Sequence, residues 1–385
     1  MASKTYGRLL RPSDSSFFLL GVRGAGKSTW VRRAFPDAFR VDLLDTGLYH
    51  DLLTEPATFA GMLRGRPAGS WVVVDEVQRM PGLLNEVHRF IEDGGLRFAL
   101  LGSSARQLRT GGANLLAGRA LWRTLFPLTP HELGDDFELD RVLQVGTIPI
   151  VWTAPDPVAT LESYVQLYLR EEIRAEALVR SLPGFARFLQ VAALFHGQTV
   201  NVSSIARDAG VARTTVGGYL DILEDTLLVH RLPALKAKLR VRERRLPKLY
   251  WVDPGLVRAA KRKLGPVGHE EAGALFEGYV LTMLRAHHES ERLYEELAFW
   301  APHQSKVEVD FVLRRGGDLV AIEAKATSRF STTHLKGLRA IGELPGVVRR
   351  ILVYGGERRL TTAEGIEVWP IRELSAELAA GWLWP

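Results

Sequence analysis

Residues 17–30 read FFLLGVRGAGKSTW. An apolar run leads into Gly21, and Gly21-x4-Gly26-Lys27-Ser28 then opens a helical stretch. That is the spacing of a phosphate-binding loop in its strand–turn–helix setting. Gly21, Gly24 and Gly26 let backbone N–H groups turn toward phosphates at a helix N-terminus. Lys27 is placed to reach the β- and γ-phosphates of ATP, Ser28 Oγ to bind Mg2+, and Thr29 completes the loop. A second apolar run, WVVVDEVQ at 71–78, ends in acid. Asp75 would hold Mg2+ through water, and Glu76 would polarise the attacking water.

A different chemistry is written near the carboxyl end. Residues 305–325 read SKVEVDFVLRRGGDLVAIEAK. Asp310 lies in one strand, Gly316-Gly317 turns the chain, and Glu323 and Lys325 end the next. Two residues apart on a strand, Glu323 and Lys325 share a face. Asp310 and Glu323 can hold Mg2+ or Mn2+ while Lys325 orients a water or stabilises a pentavalent phosphate. This looks like the PD-(D/E)xK nuclease core. Glu277, on the amphipathic helix LFEGYVLTML, is similar to the helix Glu of the Holliday-junction-resolvase branch of that superfamily. His287-His288 reads as a surface helix end, because adjacent helix positions face apart.

Between these regions, residues 200–233 have the spacing of two short helices with a turn at Gly210, which resembles a winged helix. Ser203 or Ser204 would cap the first helix. Arg213 and Thr214 would start the second, where base or phosphate contacts are made. Basic residues then recur with period two: Lys236, Lys238, Arg240, Arg242 and Arg244. On a strand they share one face about 6.6 Å apart, near the phosphate spacing of a nucleic-acid backbone. A solvated, charge-protected strand edge is the alternative.

The stretches FLLGVRGAGKST, VVVDEVQ, GSSAR, LLAGR, PLTPHEL, YLREEI and PKLYWVDPGL together resemble a widespread prokaryotic family of AAA+ ATPases. Its members carry a C-terminal domain of unknown function, and the resemblance covers nearly the whole chain. It implies that Ser103 or Ser104, ending the strand RFALLG, senses the γ-phosphate. An arginine finger would follow that strand on a subunit edge, so Arg119 is the first choice and Arg106 the second. One departure is GTIP at 146–149, where a second glycine is expected.

The elements that must position these residues are an α/β set. Strands are expected at Phe17–Gly21, Phe39–Leu43, Trp71–Val74 and Arg97–Gly102, with helices between them. Asp156 before Pro157 should cap a helix running through LESYVQLYLREEIRAEALVR. Three domains are expected: an ATPase core at 1–153, a helical lid and winged-helix region with the basic strand at 154–252, and a restriction-endonuclease-like α/β domain at 253–385. The 385 residues are 46% hydrophobic and 24% charged, and 50 basic against 44 acidic residues leave +6. Nucleic-acid preference must therefore come from clustering rather than bulk charge. With no Cys, disulfides, thiolate zinc sites and Cys nucleophiles are excluded. No secretory signal or bilayer-spanning run is visible, so a soluble cytoplasmic protein is expected. The expected function is Mg2+-dependent ATP hydrolysis by a homo-oligomer, possible as a ring, that binds and remodels branched DNA and could cut it. The competing reading is a regulatory NTPase switch acting on a protein partner, its nuclease fold inactive.

Overall fold

The structure, a computed structural model, describes residues 4–110, 116–168, 182–235, 246–302 and 307–385. The chain divides into two compact units. One is Leu10–Phe126 with Asp225–Leu227; the other is Met1–Leu9, Pro127–Glu224 and Leu228–Pro385.

The first unit is built on five parallel strands: β1 (Phe17–Leu20), β2 (Phe39–Asp42), β3 (Trp71–Asp75), β4 (Arg97–Gly102) and β5 (Leu121–Thr124). Their order is β2-β3-β4-β1-β5. A parallel sheet buries both faces, so its strands read as unbroken apolar runs, and period two sorts them. Phe18, Leu20, Val72, Val74, Phe98 and Leu100 pack on one side with Leu52, Phe59, Leu84 and Val87. Phe17, Leu19, Val73, Ala99 and Leu101 pack on the other with Trp30, Val31 and Phe35. β4 pairs with both β1 and β3. The loop after β1 and the acids ending β3 therefore share the carboxyl edge of the sheet, where ligands of open α/β sheets bind.

The second unit begins with short helices. Asp156 caps the helix Pro157–Ser163 by accepting from Ala159 N at 3.0 Å, as expected. A helical turn follows at Tyr164–Tyr168. The rest of the helix expected here falls on 169–180, outside the described residues. Helices Val202–Ala209 and Arg213–Asp225 flank Gly210, whose φ of 63° ends the first. The cap of the first is Asn201, not Ser203 or Ser204. Asn201 Oδ1 accepts from both serine N–H groups, because the helix starts at Val202, two residues or more before a serine cap would place it. β7 (Val229–Leu232) and β8 (Lys248–Trp251) pair antiparallel, and β6 (Gln198–Thr199) pairs with the other edge of β8.

At 146–149 the turn needs no second glycine. Gly146 alone adopts positive φ, 74°, and a Cβ there would sit 1.8 Å from Asp253 Oδ1. Asp253 Oδ2 accepts the Thr147 N–H at 2.6 Å, and Oδ1 caps the helix Pro254–Ala260 through Leu256 N at 3.2 Å. Burial pushes this carboxyl up to about 6, although the backbone N–H groups around it favour the charged form.

The helix His269–Glu291 then leads into a six-stranded sheet. Its strands are β9 (Glu296–Trp300), β10 (Val309–Arg315), β11 (Asp318–Lys325), β12 (Val347–Tyr354), β13 (Leu360–Thr361) and β14 (Glu367–Pro370), in the order β13-β14-β12-β11-β10-β9. β10 and β11 form the expected hairpin, and β11 runs parallel to β12 through the crossover helix Lys336–Ile341. His287 is not a surface helix end. It is fully buried, with Nε2 3.0 Å from Ser375 Oγ, because this long helix packs against the helix Ile371–Ala379 as well as the sheet.

Candidate functional site

In the first unit the loop between β1 and the helix Lys27–Ala34 carries Gly24 and Gly26 at φ 74° and 91°. Lys27 Nζ is buried and donates to Gly21 O at 2.7 Å and Val22 O at 3.4 Å. Ser28 Oγ donates to Asp75 Oδ2 at 2.6 Å, so the loop and the end of β3 meet as expected. Thr29 is exposed on the first helical turn. Glu76 sits at φ 57°, ψ 42°, a left-handed conformation that costs a non-glycine residue energy and is held only where its surroundings impose it. Its carboxylate accepts from Gln78 Nε2, which also donates to Ser103 Oγ at 3.1 Å. Ser103 and Ser104 are both buried at the end of β4.

Gln78 was not singled out from the sequence. No local sequence signal marks it: a Cβ at Gly102 would lie 2.7 Å from Gln78 Oε1, so a glycine on β4 makes room for the amide. Arg119 is exposed and paired with Glu92, while Arg106 lies 3.7 Å from Asp225. The donor set fits a nucleotide and Mg2+. The glycine-rich backbone would meet phosphates, and Ser28 and Asp75 offer the hard oxygen ligands that Mg2+ takes.

In the second unit the four residues expected near one another are together. Asp310 Oδ2, on β10, accepts from Ala324 N at 2.9 Å. Lys325 Nζ donates to Glu323 Oε1 at 2.6 Å and lies 3.9 Å from Asp310 Oδ2. Glu277 enters from its helix and accepts from the Tyr250 hydroxyl. Two further residues join them. Lys248 Nζ, from β8, donates to Glu277 Oε1 at 2.9 Å, pairs with Glu308, and lies 3.8 Å from Asp310 Oδ1. Oxygens of Glu277, Glu308 and Asp310 lie within 4.8 Å of one another.

The electrostatics follow from crowding carboxylates out of water. Burial first, then the Asp310 charge, pushes Glu277 up to about 7 against the pull of Lys248. The same two causes push Glu323 up to about 8 against Lys325. Burial lowers the Lys248 ammonium, but Glu277, Asp310 and Glu308 outweigh it and hold the group above its ordinary value. Glu323 Oε2 is buried without a hydrogen-bond partner.

Arg213 and Thr214 are exposed at the start of their helix. Lys236, Lys238, Arg240, Arg242 and Arg244 lie outside the described residues.

Residues 13–134 match the model of a family described as "AAA domain". The chain thus carries an AAA-type ATPase domain. Residues 136–266 and 272–374 match two families each described as a domain of unknown function, DUF8612 and DUF4143. The chain is 28% identical over 365 residues to the uncharacterized proteins Rv2008c of Mycobacterium tuberculosis and Mb2031c of Mycobacterium bovis, covering 92% of this chain and 80% of each relative. Among solved structures, the Aeropyrum pernix ORC1 protein in complex with DNA is 14% identical, covering 65% of this chain and 86% of that one, at a TM-score of 0.29. A STAND protein with a tetratricopeptide repeat sensor, PH0952 of Pyrococcus horikoshii, is 14% identical over 72% of this chain and 46% of its own, at 0.20. Likeness at that level assigns neither fold nor function. Among the described residues no helix is long and apolar enough to cross a membrane.

Proposed function

We propose that the ATPase domain hydrolyses ATP with Mg2+ and couples turnover to the engagement of branched DNA, acting as a homo-oligomer. The observation that carries the hydrolytic part is the joined set Ser28–Asp75 and Glu76–Gln78–Ser103 at one sheet edge. A metal ligand pair, a water-polarising carboxylate and a phosphate-sensing hydroxyl are what phosphoryl transfer to water requires. Arg119 is the proposed finger acting on a neighbouring subunit. The DNA part rests on three features. Arg213 and Thr214 are exposed at the start of the second helix of a helix–turn–helix spacing, which we read as a winged helix. The sequence at 236–244 alternates basic residues. The grouping of Glu277, Asp310, Glu323 and Lys325 supports a PD-(D/E)xK nuclease-like fold in the second unit.

The test is ATP turnover by the purified full-length chain with no DNA, linear duplex, single strand and a four-way junction. Stimulation strongest with the junction supports the proposal, and a rate unchanged by any DNA removes it. The second reading, a regulatory switch whose nuclease fold is inactive, is favoured by one observation: a lysine of the chain itself fills the carboxylate group.

A further inference from the structure

Lys248 is an unusual neighbour for a metal-binding set. Its side chain is 4% exposed, and its ammonium touches the three carboxylates whose oxygens cluster most closely, Glu277, Glu308 and Asp310. Those oxygens could converge on one divalent ion, which takes oxygen ligands at about 2.0–2.6 Å. The lysine is delivered rigidly. Its strand is the middle one of three, with Lys248 opposite Thr199 on one side and Leu232 on the other. Its ammonium lies 5.4 Å from the centre of the Phe299 ring and 5.9 Å from that of Tyr250, so its surroundings are aromatic as well as anionic.

The charge count points the same way. Among the described residues and their ion pairs, four carboxylates (Glu277, Glu308, Asp310 and Glu323) meet two ammonium groups, Lys248 and Lys325. The two lysines approach opposite oxygens of Asp310. Glu323 Oε2 still lacks a partner. The set is therefore partly neutralised from within, and Lys248 carries the neutralisation on the side where three acids converge.

We propose that Lys248 is the resident cation of this site: its ammonium holds the place of a divalent metal, so Mg2+ or Mn2+ binds there only in competition with it. The proposal rests on the nuclease-like reading of the second unit and adds a restraint to it. With Lys248 seated, the metal needed for phosphodiester cleavage is excluded.

The test is titration of Mn2+ into the nucleotide-free full-length chain, followed by electron paramagnetic resonance and by thermal unfolding. An Asp75→Asn background removes the metal ligand of the first unit. Wild-type Lys248 should give weak binding and no thermal shift. Lys248→Met should bind at least about tenfold more tightly, since a charge within a few ångströms of the ion is gone, and should unfold at a higher temperature with Mn2+ than without it. Lys248→Arg, which keeps the charge, should bind as weakly as wild type. Equal affinity in wild type and Lys248→Met overturns the proposal. Should Lys248→Met not fold, Lys248→Gln and the wild-type titration decide: tight wild-type binding that Asp310→Asn abolishes also overturns it. Cleavage of a four-way junction is scored separately. Lys248→Met that gains Mn2+ but cuts nothing upholds the resident cation and removes the nuclease reading. Wild type that binds Mn2+ tightly and cuts does the reverse.

Discussion

Two lysines, one in each unit, stand among groups expected to handle phosphate or metal, and they differ in the hydrogen bonds and ion pairs described for them. Lys27 rests on the carbonyl oxygens of its own loop, Gly21 and Val22. Lys248 rests on the full charges of Glu277, Glu308 and Asp310, drawn from a different helix and a different sheet. A carbonyl dipole is a weak partner that a phosphate oxygen outbids, because charge-assisted bonds are roughly twice as strong as neutral ones. Buried carboxylates are not outbid in that way: each would be left without compensation. Bonds to carbonyl dipoles yield to a phosphate, whereas contacts with several buried charges make a lysine part of the structure. The same side chain is thus a binding group in one region and a filling group in the other.

Five measurements break or sharpen this contrast. The largest effect should come from Lys27→Ala, which should abolish tight ATP binding and with it turnover. Arg119→Ala should lower turnover by about 10³–10⁵ if the finger reaches a neighbour's site. Mixed with Lys27→Ala subunits it should regain part of the loss, and mixtures that stay inactive place the finger elsewhere. Glu76→Gln should keep ATP binding and lose about 10²–10⁴ in turnover. Ordinary hydrolysis by that variant would remove Glu76 as the residue acting on water.

Stability should invert the order of the lysines. Lys248→Met should cost about 3–5 kcal/mol in urea unfolding without metal, the scale for stranding buried charges. Lys27→Ala, which removes the bonds to Gly21 O and Val22 O, should cost about 1 kcal/mol. Equal losses would erase the distinction.

A smaller effect is expected from pH. Burial holds His196 and His287 down at about 3, against 6.5 for a free imidazole. His196 is bonded as a neutral ring, accepting from Trp251 N at 3.1 Å and meeting Ala274 O at 2.9 Å. The unfolded chain binds these protons first, so the stabilisation is complete above pH 6.5 and is lost as pH falls toward 3. Each histidine should contribute at most about 1.4 kcal/mol per pH unit in that window. Urea midpoints measured from pH 7.5 to 5 should fall, and a flat profile would contradict the buried neutral rings.

Much of this was legible in the sequence where neighbours in the chain are neighbours in space. The loop from Gly21 to Ser28, the acids ending β3, the Gly316-Gly317 hairpin and the shared face of Glu323 and Lys325 all follow from local period and turn chemistry. Lys248 did not follow. It lies 29 residues before Glu277 on a strand of another sheet, and PKLYW reads as an ordinary apolar run. Glu308 could have been found, since it precedes Asp310 by two and the same strand period applies. Gln78 was hidden because its role depends on the missing side chain of Gly102, on a different strand. His287 was misread because helix geometry says which faces differ, not which of them a later helix will cover.

The joint made by Asp253 has a temporal side. Thr147 and Asp253 are 106 residues apart, and no side chain at 146 could replace the carboxylate that fills that space. On a ribosome adding about 5–20 residues per second, the turn at 146–149 would wait roughly 5–20 s for its partner to emerge. For that interval the Thr147 N–H lacks the carboxylate that accepts it in the folded chain, so this turn closes only after the second unit has been made well past it.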